Sequence, residues 1–271
     1  MAAQTDSFQS VYGPVQSWRF GRSLGIDPIG KISVCSFDCV YCQLGEIEVK
    51  TSDRQCFIPT ATIEHDLQRY APWEVDRMTL SGSGEPTLAL NLGEILTLVT
   101  AMTHKPTAVL TNGTLLDDPT VRAELAIADA VAVKLDAITP DQWRRVNRPV
   151  ATLDYATQWP SLMTFRQDYT GQLLIQTMLL SPWSDEEQDR YIAQMQELKP
   201  DEIQLNTPTR PKPFHHQLEA RGNHNPLNAP YPSRWLKPVQ RSALETFRDR
   251  LLDATQIPVR IPNLSTLPSS G

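Results

Sequence analysis

One pattern limits the folds open to this chain: strand-like and helix-like stretches alternate along most of its length. Residues 30–34, 76–80, 107–110, 131–135, 173–179 and 202–205 read as short strands, mostly of aliphatic and β-branched residues. Helix signals lie between them. In 91–103, Leu92, Ile95, Leu96, Val99 and Met102 share one helical face. Asp118 and Pro119 make an N-cap and first helical residue, with Val121, Leu125 and Ala128 behind them. Thr139 with Gln142, and Ser184 with Glu187, have capping-box spacing, and Ile192, Met195 and Leu198 follow the second. Strands separated by helices predict an α/β fold, a parallel sheet with helices outside it. The pattern leaves open whether the sheet closes. The strands end on polar residues: Ser81 and Ser83, Asn112, Asp136 and Asn206. Barrels of this class place their sites at such ends.

The cysteines concentrate at one of these ends. The chain has only four, and Cys35, Cys39 and Cys42 lie within eight residues as C-x3-C-x2-C. Thiolates so close together usually hold a metal or a cluster. A zinc site calls for a fourth Cys or His nearby, and the first histidine is His65. A redox disulfide uses two cysteines and leaves the third unexplained. A [4Fe–4S] cluster takes one thiolate per iron, so three cysteines leave one iron open to a small chelating molecule. Cys56, the fourth, reads as a small buried hydrophobe.

The C-x3-C-x2-C loop, with Tyr41 before its last cysteine, resembles the radical S-adenosylmethionine (SAM) superfamily. Residues 13–27 (GPVQSWRFGRSLGID), SGSGEPTL at 81–88, LTNGTLL at 110–116, KLDA at 134–137, VNRP at 146–149 and QLNTPTRP at 204–211 resemble the branch related to the wyosine-base synthases of tRNA. The resemblance spans about residues 11–212. It implies a six-stranded, partly open (β/α)6 barrel with the cluster loop after its first strand. The expected organisation is a core over 1–212 and an irregular C-terminal extension over 213–271, made of a loop or lid, a helix and a tail packed on the core.

The resemblance also implies roles. Cys35, Cys39 and Cys42 ligate three irons of a [4Fe–4S] cluster, and the fourth iron binds the amino and carboxylate groups of SAM. One electron then cleaves the sulfonium to methionine and a 5′-deoxyadenosyl radical that takes hydrogen from a substrate. A low-potential donor of flavodoxin or ferredoxin type supplies the electron. The backbone at Tyr41 contacts the adenine. Ser83, Gly84 and Glu85 match the family's Gly-Gly-Glu segment, with Ser for the first Gly, and Glu85 accepts a bond from the SAM ammonium. Read without the cysteines, the same segment is a turn.

Other candidates follow from position. Lys134 and Asp136 alternate across Leu135, so both face one side of their strand, the interior, while Val131, Val133 and Leu135 pack outward. A lysine there suits the SAM carboxylate and a carboxylate suits ribose hydroxyls; the alternative is a buried structural pair. Asn112 is a SAM or substrate contact. Gln176, Gln204, Asn206 and Arg210 are assigned to substrate or SAM, with turn capping as the alternative, and Gln176, Asn206 and Arg210 are the catalytic candidates. Arg19, Arg22 and Arg148 add positive charge near the mouth or sit as solvated surface residues. His215, His216 and His224 lie in a polar, proline-rich loop and are expected to be exposed.

Bulk properties narrow the partners. The 271 residues, 40% hydrophobic, suffice for one large core. A formal charge of −6 argues mildly against a free-standing nucleic-acid binder. No run of about 18 apolar residues spans a membrane, no secretory signal is visible at the N-terminus, and few, clustered cysteines fit the cytoplasm. Residues 1–10 read as frayed, 11–30 as an ordered loop with four glycines and two prolines, 239–253 as a helix, 257–261 as a last strand and 265–271 as a loose tail. Three functions stay open: a radical SAM enzyme acting on RNA, an activase of a partner protein or a small-molecule radical enzyme, and a non-catalytic iron–sulfur or zinc protein. Wyosine synthases carry a second cluster on additional N-terminal cysteines; none precedes Cys35, so wyosine synthesis itself is not the expected reaction.

Overall fold

A computed structural model of the chain describes residues 8–222 and 230–263. In chain order its elements are β1 (Val11–Ser17), β2 (Gly21–Ile26), β3 (Val34–Cys35), β4 (Val49–Lys50), α1 (Thr60–Gln68), β5 (Arg77–Leu80), α2 (Leu92–Thr103), β6 (Thr107–Thr111), α3 (Pro119–Leu125), β7 (Ala130–Lys134), α4 (Pro140–Val146), α5 (Tyr155–Asp168), β8 (Gln172–Met178), α6 (Asp185–Leu198), β9 (Glu202–Asn206), β10 (Lys212–Pro213), β11 (Ser233–Arg234), α7 (Arg241–Thr255) and β12 (Val259–Arg260). Eight strands form one sheet in the order β1-β2-β5-β6-β7-β8-β9-β12. All neighbours are parallel except the β1–β2 hairpin. The α/β class and the curled half-barrel expected from the sequence are therefore present, widened by an antiparallel strand at one edge and by β12 at the other.

The strand pleat sorts the residues. Val109, Val131, Val133, Leu173, Ile175 and Ile203 face outward into the main core, with Leu92, Ile95, Leu96 and Val99 of α2 buried among them. Each such side chain contributes about 1.5–3 kcal/mol through burial. The alternate residues Ala108, Ala130, Ala132 and Leu174 face the interior, where the three alanines leave room for Phe20 from the β1–β2 turn. That turn plugs the N-terminal end of the barrel. Arg260 of β12 donates to the Trp18 and Arg19 carbonyls, so the two edges of the sheet meet at the plug.

The helix caps form as their residues predict. Asp118 caps α3, and Ser184 and Glu187 bond reciprocally at the start of α6. At α4, Thr139 caps the helix while the Gln142 side chain accepts from Ile138 N instead of closing a reciprocal box.

Several expectations require correction. The first strand of the parallel set is Gly21–Ile26, not 30–34: residues 11–26 make a hairpin whose Leu24 and Ile26 are core residues, and Val34–Cys35 pairs with β4, with one bridge from Val34 to Gly84. Ser10 is anchored, its amide and hydroxyl both donating to Asp66 Oδ2. Helix α5 lacks a sequence signal because it buries only Leu162 and Phe165 and contains Pro160. Cys56 is exposed instead of buried. Residues 1–7, His224 and the 265–271 tail lie outside the described residues.

Candidate functional site

The cysteine loop crosses the C-terminal ends of the strands and is clamped from both sides. On one side Val34 bridges Gly84: Val34 N donates to Ser83 O, and Glu85 N donates to Val34 O. A Cβ at Gly84 would lie 1.7 Å from the Val34 carbonyl, so no other residue fits there. On the other side the segment after α4 acts as a partner strand. Asp38 N donates to Asn147 O, Val40 N to Val146 O, and Val150 N to Ser36 O, at 2.9–3.0 Å. Phe37 is buried edge-on against Trp143, 5.8 Å between centroids. Lys50 pairs with Asp38 at 2.9 Å, and Lys212 Nζ donates to Cys39 O at 3.1 Å.

Two side-chain amides reach the sulfurs. Asn147 Nδ2 donates to Cys39 Sγ at 3.5 Å, and Asn112 Nδ2 approaches Cys35 Sγ at 3.7 Å. Asn112 also donates to Ser36 Oγ, which bonds Thr114. Burial raises all three thiols. Glu85 adds to this at Cys35, and Asp136 adds to it at Cys39, which is pushed up to about 12. Charge on Cys39 and Cys42 also opposes ionisation of Cys35, and charge on Cys42 that of Cys39. Three thiols gathered in a low-dielectric, electronegative corner ionise only against a positive centre. Among the described residues, no three His, Cys, Asp or Glu side chains are arranged around a single metal ion. Thiolates on separate irons need no such arrangement, so the donor set fits an iron–sulfur cluster.

The carboxylates at the strand ends are bound into the protein. Glu85 Oε1 accepts from Thr87 N, Thr87 Oγ1 and Thr111 Oγ1, and Oε2 accepts from Asn112 N at 2.7 Å. Burial raises its carboxyl, and these bonds oppose the rise. Asp136 Oδ2 accepts from the Tyr41 hydroxyl and, at 2.8 Å, from Asn147 Nδ2; Oδ1 accepts from Met178 N at 2.8 Å. Lys134 Nζ lies 3.7 Å from Asp136 Oδ1 and 4.9 Å from the centroid of the Tyr41 ring. Ser83 N and Oγ both donate to Asp27 Oδ2.

Deeper in the barrel, Gln176 Nε2 donates to Gln204 Oε1 and Gln204 Nε2 to Glu202 Oε1. Asn206 is buried, and its Oδ1 accepts from Thr207 N. Arg210 Nη1 donates to Gln43 Oε1 at 3.0 Å and to Gly222 O. Arg19 is half-buried, whereas Arg22 and Arg148 are exposed. His215 is exposed as expected. His216 is not: only 10% of its side chain is exposed, and its Nδ1 lies 2.9 Å from Glu48 Oε2. Sequence pattern gives no role to Asn147 or Lys212, although Asn147 lies in the VNRP stretch that carries the resemblance.

A sequence model of the radical SAM superfamily matches residues 30–206. The chain belongs to the radical SAM superfamily. It is 53% identical to the UPF0026 protein slr1464 of Synechocystis over 96% of this chain and 99% of that one. It is 34% identical to the UPF0026 protein MJ1312 of Methanocaldococcus jannaschii, over 74% of this chain and 64% of the relative. A probable GTP 3′,8-cyclase of Saccharolobus islandicus is 28% identical over 47% of this chain and 40% of its own length. The fold is shared with Streptococcus suis SuiB bound to S-adenosylmethionine, at TM-score 0.59 and 14% identity over 88% of this chain and 52% of that one. It is also shared with anSMEcpe bound to AdoMet, at TM-score 0.59 and 18% identity over 92% and 68%. As an enzyme of this superfamily the protein uses a [4Fe–4S] cluster and SAM, and it requires a reductant. Among the described residues no helix is long and apolar enough to cross a membrane.

Proposed function

We propose that Cys35, Cys39 and Cys42 hold the cluster, that SAM lies against it over the strand ends, and that the enzyme abstracts hydrogen from a substrate in the barrel. The observation that carries this reading is the gathering of three half-buried thiols, two of them met by amide donors, at the mouth of a parallel half-barrel. When bound, the cluster and SAM supply one-electron cleavage of the sulfonium and a 5′-deoxyadenosyl radical. The chain's own residues set the conditions. Asn112 and Asn147 donate N–H to cluster thiolates, Lys212 fixes the Cys39 carbonyl, and Phe37 with Trp143 excludes water from one side. Lys134 offers its charge to the SAM carboxylate, and the backbone around Ser83, Gly84 and Tyr41 frames the nucleotide. Asp136 and Glu85 position these groups, because their oxygens are already engaged by protein donors.

Likeness to the wyosine branch supports a substrate in RNA modification; a small molecule or a partner protein is the second reading, and the enclosed interior favours the small molecule. A flavodoxin- or ferredoxin-type donor and a cytoplasmic setting complete the proposal. Anaerobic reconstitution should give about four irons and four sulfides per chain, and SAM with dithionite should give 5′-deoxyadenosine. Cys39→Ala should abolish both. Cleavage retained in that variant, or a single bound zinc in place of the cluster, would contradict the assignment.

A further inference from the structure

Charge is unevenly spread along this acidic chain. Within residues 203–244 one carboxylate, Glu219, stands against six cations, whereas the whole chain has 31 Asp and Glu against 25 Lys and Arg. Residues 142–153 hold Arg144, Arg145 and Arg148 and no carboxylate. The fold brings both stretches against adjacent residues of the cysteine loop: Asp38 N donates to Arg148 O at 3.2 Å, and Cys39 O accepts from Lys212 Nζ at 3.1 Å. Strand pairing carries the first stretch onward. Lys212 is the register partner of Arg234, and Phe214 N donates to Pro232 O at 3.2 Å. Val239 N then donates to Thr207 Oγ1 at 2.7 Å, so residues 234–239 run from beside the cysteine loop to the end of β9. Arg234 and Lys237 on this run are exposed, as are Arg144 and Arg148 on the other stretch. The remaining cations are committed: Arg145 to Asp141, Arg221 to Asp27, Arg241 to Glu245, Arg210 to Gln43 and the Gly222 carbonyl, and Lys212 to the Cys39 carbonyl. The loop's own carboxylates have local partners, Asp38 and Glu46 at Lys50 and Glu48 at His216. Two large aromatic side chains are exposed beside Arg234, Phe214 at 52% and Trp235 at 45%. The ladder sets their backbones about 10 Å apart.

Resting on the RNA reading above, we propose that this face docks a single-stranded stretch of an RNA substrate and presents one of its nucleotides to the barrel mouth. Arg144, Arg148, Arg234 and Lys237 meet phosphates, and Phe214 and Trp235 stack on bases. Cations interleaved with aromatic rings suit a single strand, whose bases are free to stack; a duplex encloses its bases and offers mainly backbone and 2′-hydroxyls. An acidic protein would meet the same cations, but two separated planar rings in line with them are what stacked bases require. The rest of the chain carries the excess of carboxylates, which repels a phosphate backbone and confines it to the mouth.

The test uses cluster-loaded protein with SAM and a labelled single-stranded RNA of mixed sequence, about 12 nucleotides long, read by fluorescence anisotropy between about 50 and 200 mM salt. Four phosphate contacts predict that log K falls against log salt with a slope of about −3. Arg234→Gln and Lys237→Gln should each make that slope shallower by about 0.7. Trp235→Ala should weaken binding at least about fivefold at every salt concentration and leave the slope unchanged. Trp235→Phe keeps a stacking face and should retain most of the affinity, which guards against a folding defect in the Ala variant. Arg22→Gln, exposed at the opposite, N-terminal end of the parallel strands, should change binding less than about twofold. Failure of the parent to bind the RNA, a slope near zero, or parent-like binding by Arg234→Gln and Trp235→Ala overturns the proposal. So does tighter binding of a duplex RNA of the same length. If the two variants bind RNA normally but require more of a reduced acidic flavodoxin for half-maximal SAM cleavage, the face belongs to an electron donor and the RNA dock is rejected. Cleavage of SAM with dithionite, which uses none of these side chains, separates the failures: cleavage without RNA binding rejects the dock alone, and RNA binding without cleavage upholds the dock and rejects the radical chemistry.

Discussion

Asp136 is the residue whose loss should be felt most widely. Its side chain is fully shielded from solvent and takes donors from three parts of the chain: Tyr41 in the cysteine loop, Asn147 after α4 and Met178 at the end of β8. Asp136→Ala strands all three donors and leaves Lys134 without its counter-charge. A buried donor without an acceptor costs about 1–3 kcal/mol, and breaking a buried charged network about 3–5 kcal/mol in all. Against a total stability of about 5–15 kcal/mol for a domain, that is a large fraction. Asp136→Asn keeps the shape but replaces one oxygen with an amide. The Tyr41 hydroxyl can turn and accept from it; Asn147 Nδ2 and Met178 N cannot, so about 1–3 kcal/mol is expected. The Tyr41 hydroxyl, held up first by burial and then by Asp136, should titrate at lower pH in the Asn variant. Urea unfolding of the cluster-free protein followed by circular dichroism gives the stabilities, and absorbance gives the tyrosine titration. If Asp136→Ala unfolds within about 0.5 kcal/mol of the parent, the network is not the clamp described here.

Other substitutions probe the clamps separately. Gly84→Ala forces a Cβ against the Val34 carbonyl and should destabilise the protein by about 3 kcal/mol, with lowered iron retention, measured by thermal unfolding and iron assay. Asn147→Ala removes an N–H donor from Cys39 Sγ; because such donors favour the more reduced, more negative cluster, its midpoint potential should fall, read by an electron-paramagnetic-resonance redox titration. Asp38 supplies the pH test. Burial raises its carboxyl, but bonds from Lys50 and Ile47 N outweigh this and hold it below its ordinary value. Its contribution to stability is therefore complete above about pH 4 and lost as pH falls through the folded value. Asp38→Asn should flatten the acid limb of stability against pH, measured by denaturant unfolding between pH 3 and pH 6.

The sequence made some features legible and hid others for physical reasons. Periodicity exposed α2, because one face of it is wholly buried, and caps exposed α3, α4 and α6. Alternation placed Lys134 and Asp136 inward, with Val131 and Val133 in the outer core. Helix α5 shows no stripe, so no period could find it. The β1–β2 hairpin reads as a loop in the sequence because Gly13, Gly21 and Gly25 look like loop residues; a side chain at Gly25 would collide with the Tyr12 ring across the hairpin. Asn147 was legible only as part of a motif. Its task depends on Cys39, 108 positions earlier, and no local pattern encodes that pairing.

The cysteine loop itself contains little of what shapes it. Within it, Cys42 N donates to Cys39 O, and Gly45 N to Cys42 O just beyond it. Its other backbone bonds run outward, to the strand end at Ser83–Glu85, to residues 146–150 and, through Cys35 O, to Thr51 N. Those two clamps are joined through the carboxylates: Glu85 ties its strand end to β6 through Thr111 and Asn112, and Asp136 ties β7 and β8 to Asn147 and Tyr41. The loop is thus shaped by the C-terminal ends of four neighbouring strands, each built on a core that needs no metal. A small zinc domain folds because its metal binds; here the barrel fixes the positions of the thiols first. That arrangement commits Glu85 and Asp136 to several protein donors each, so both carboxylates hold the strand ends in place beneath the cysteine loop.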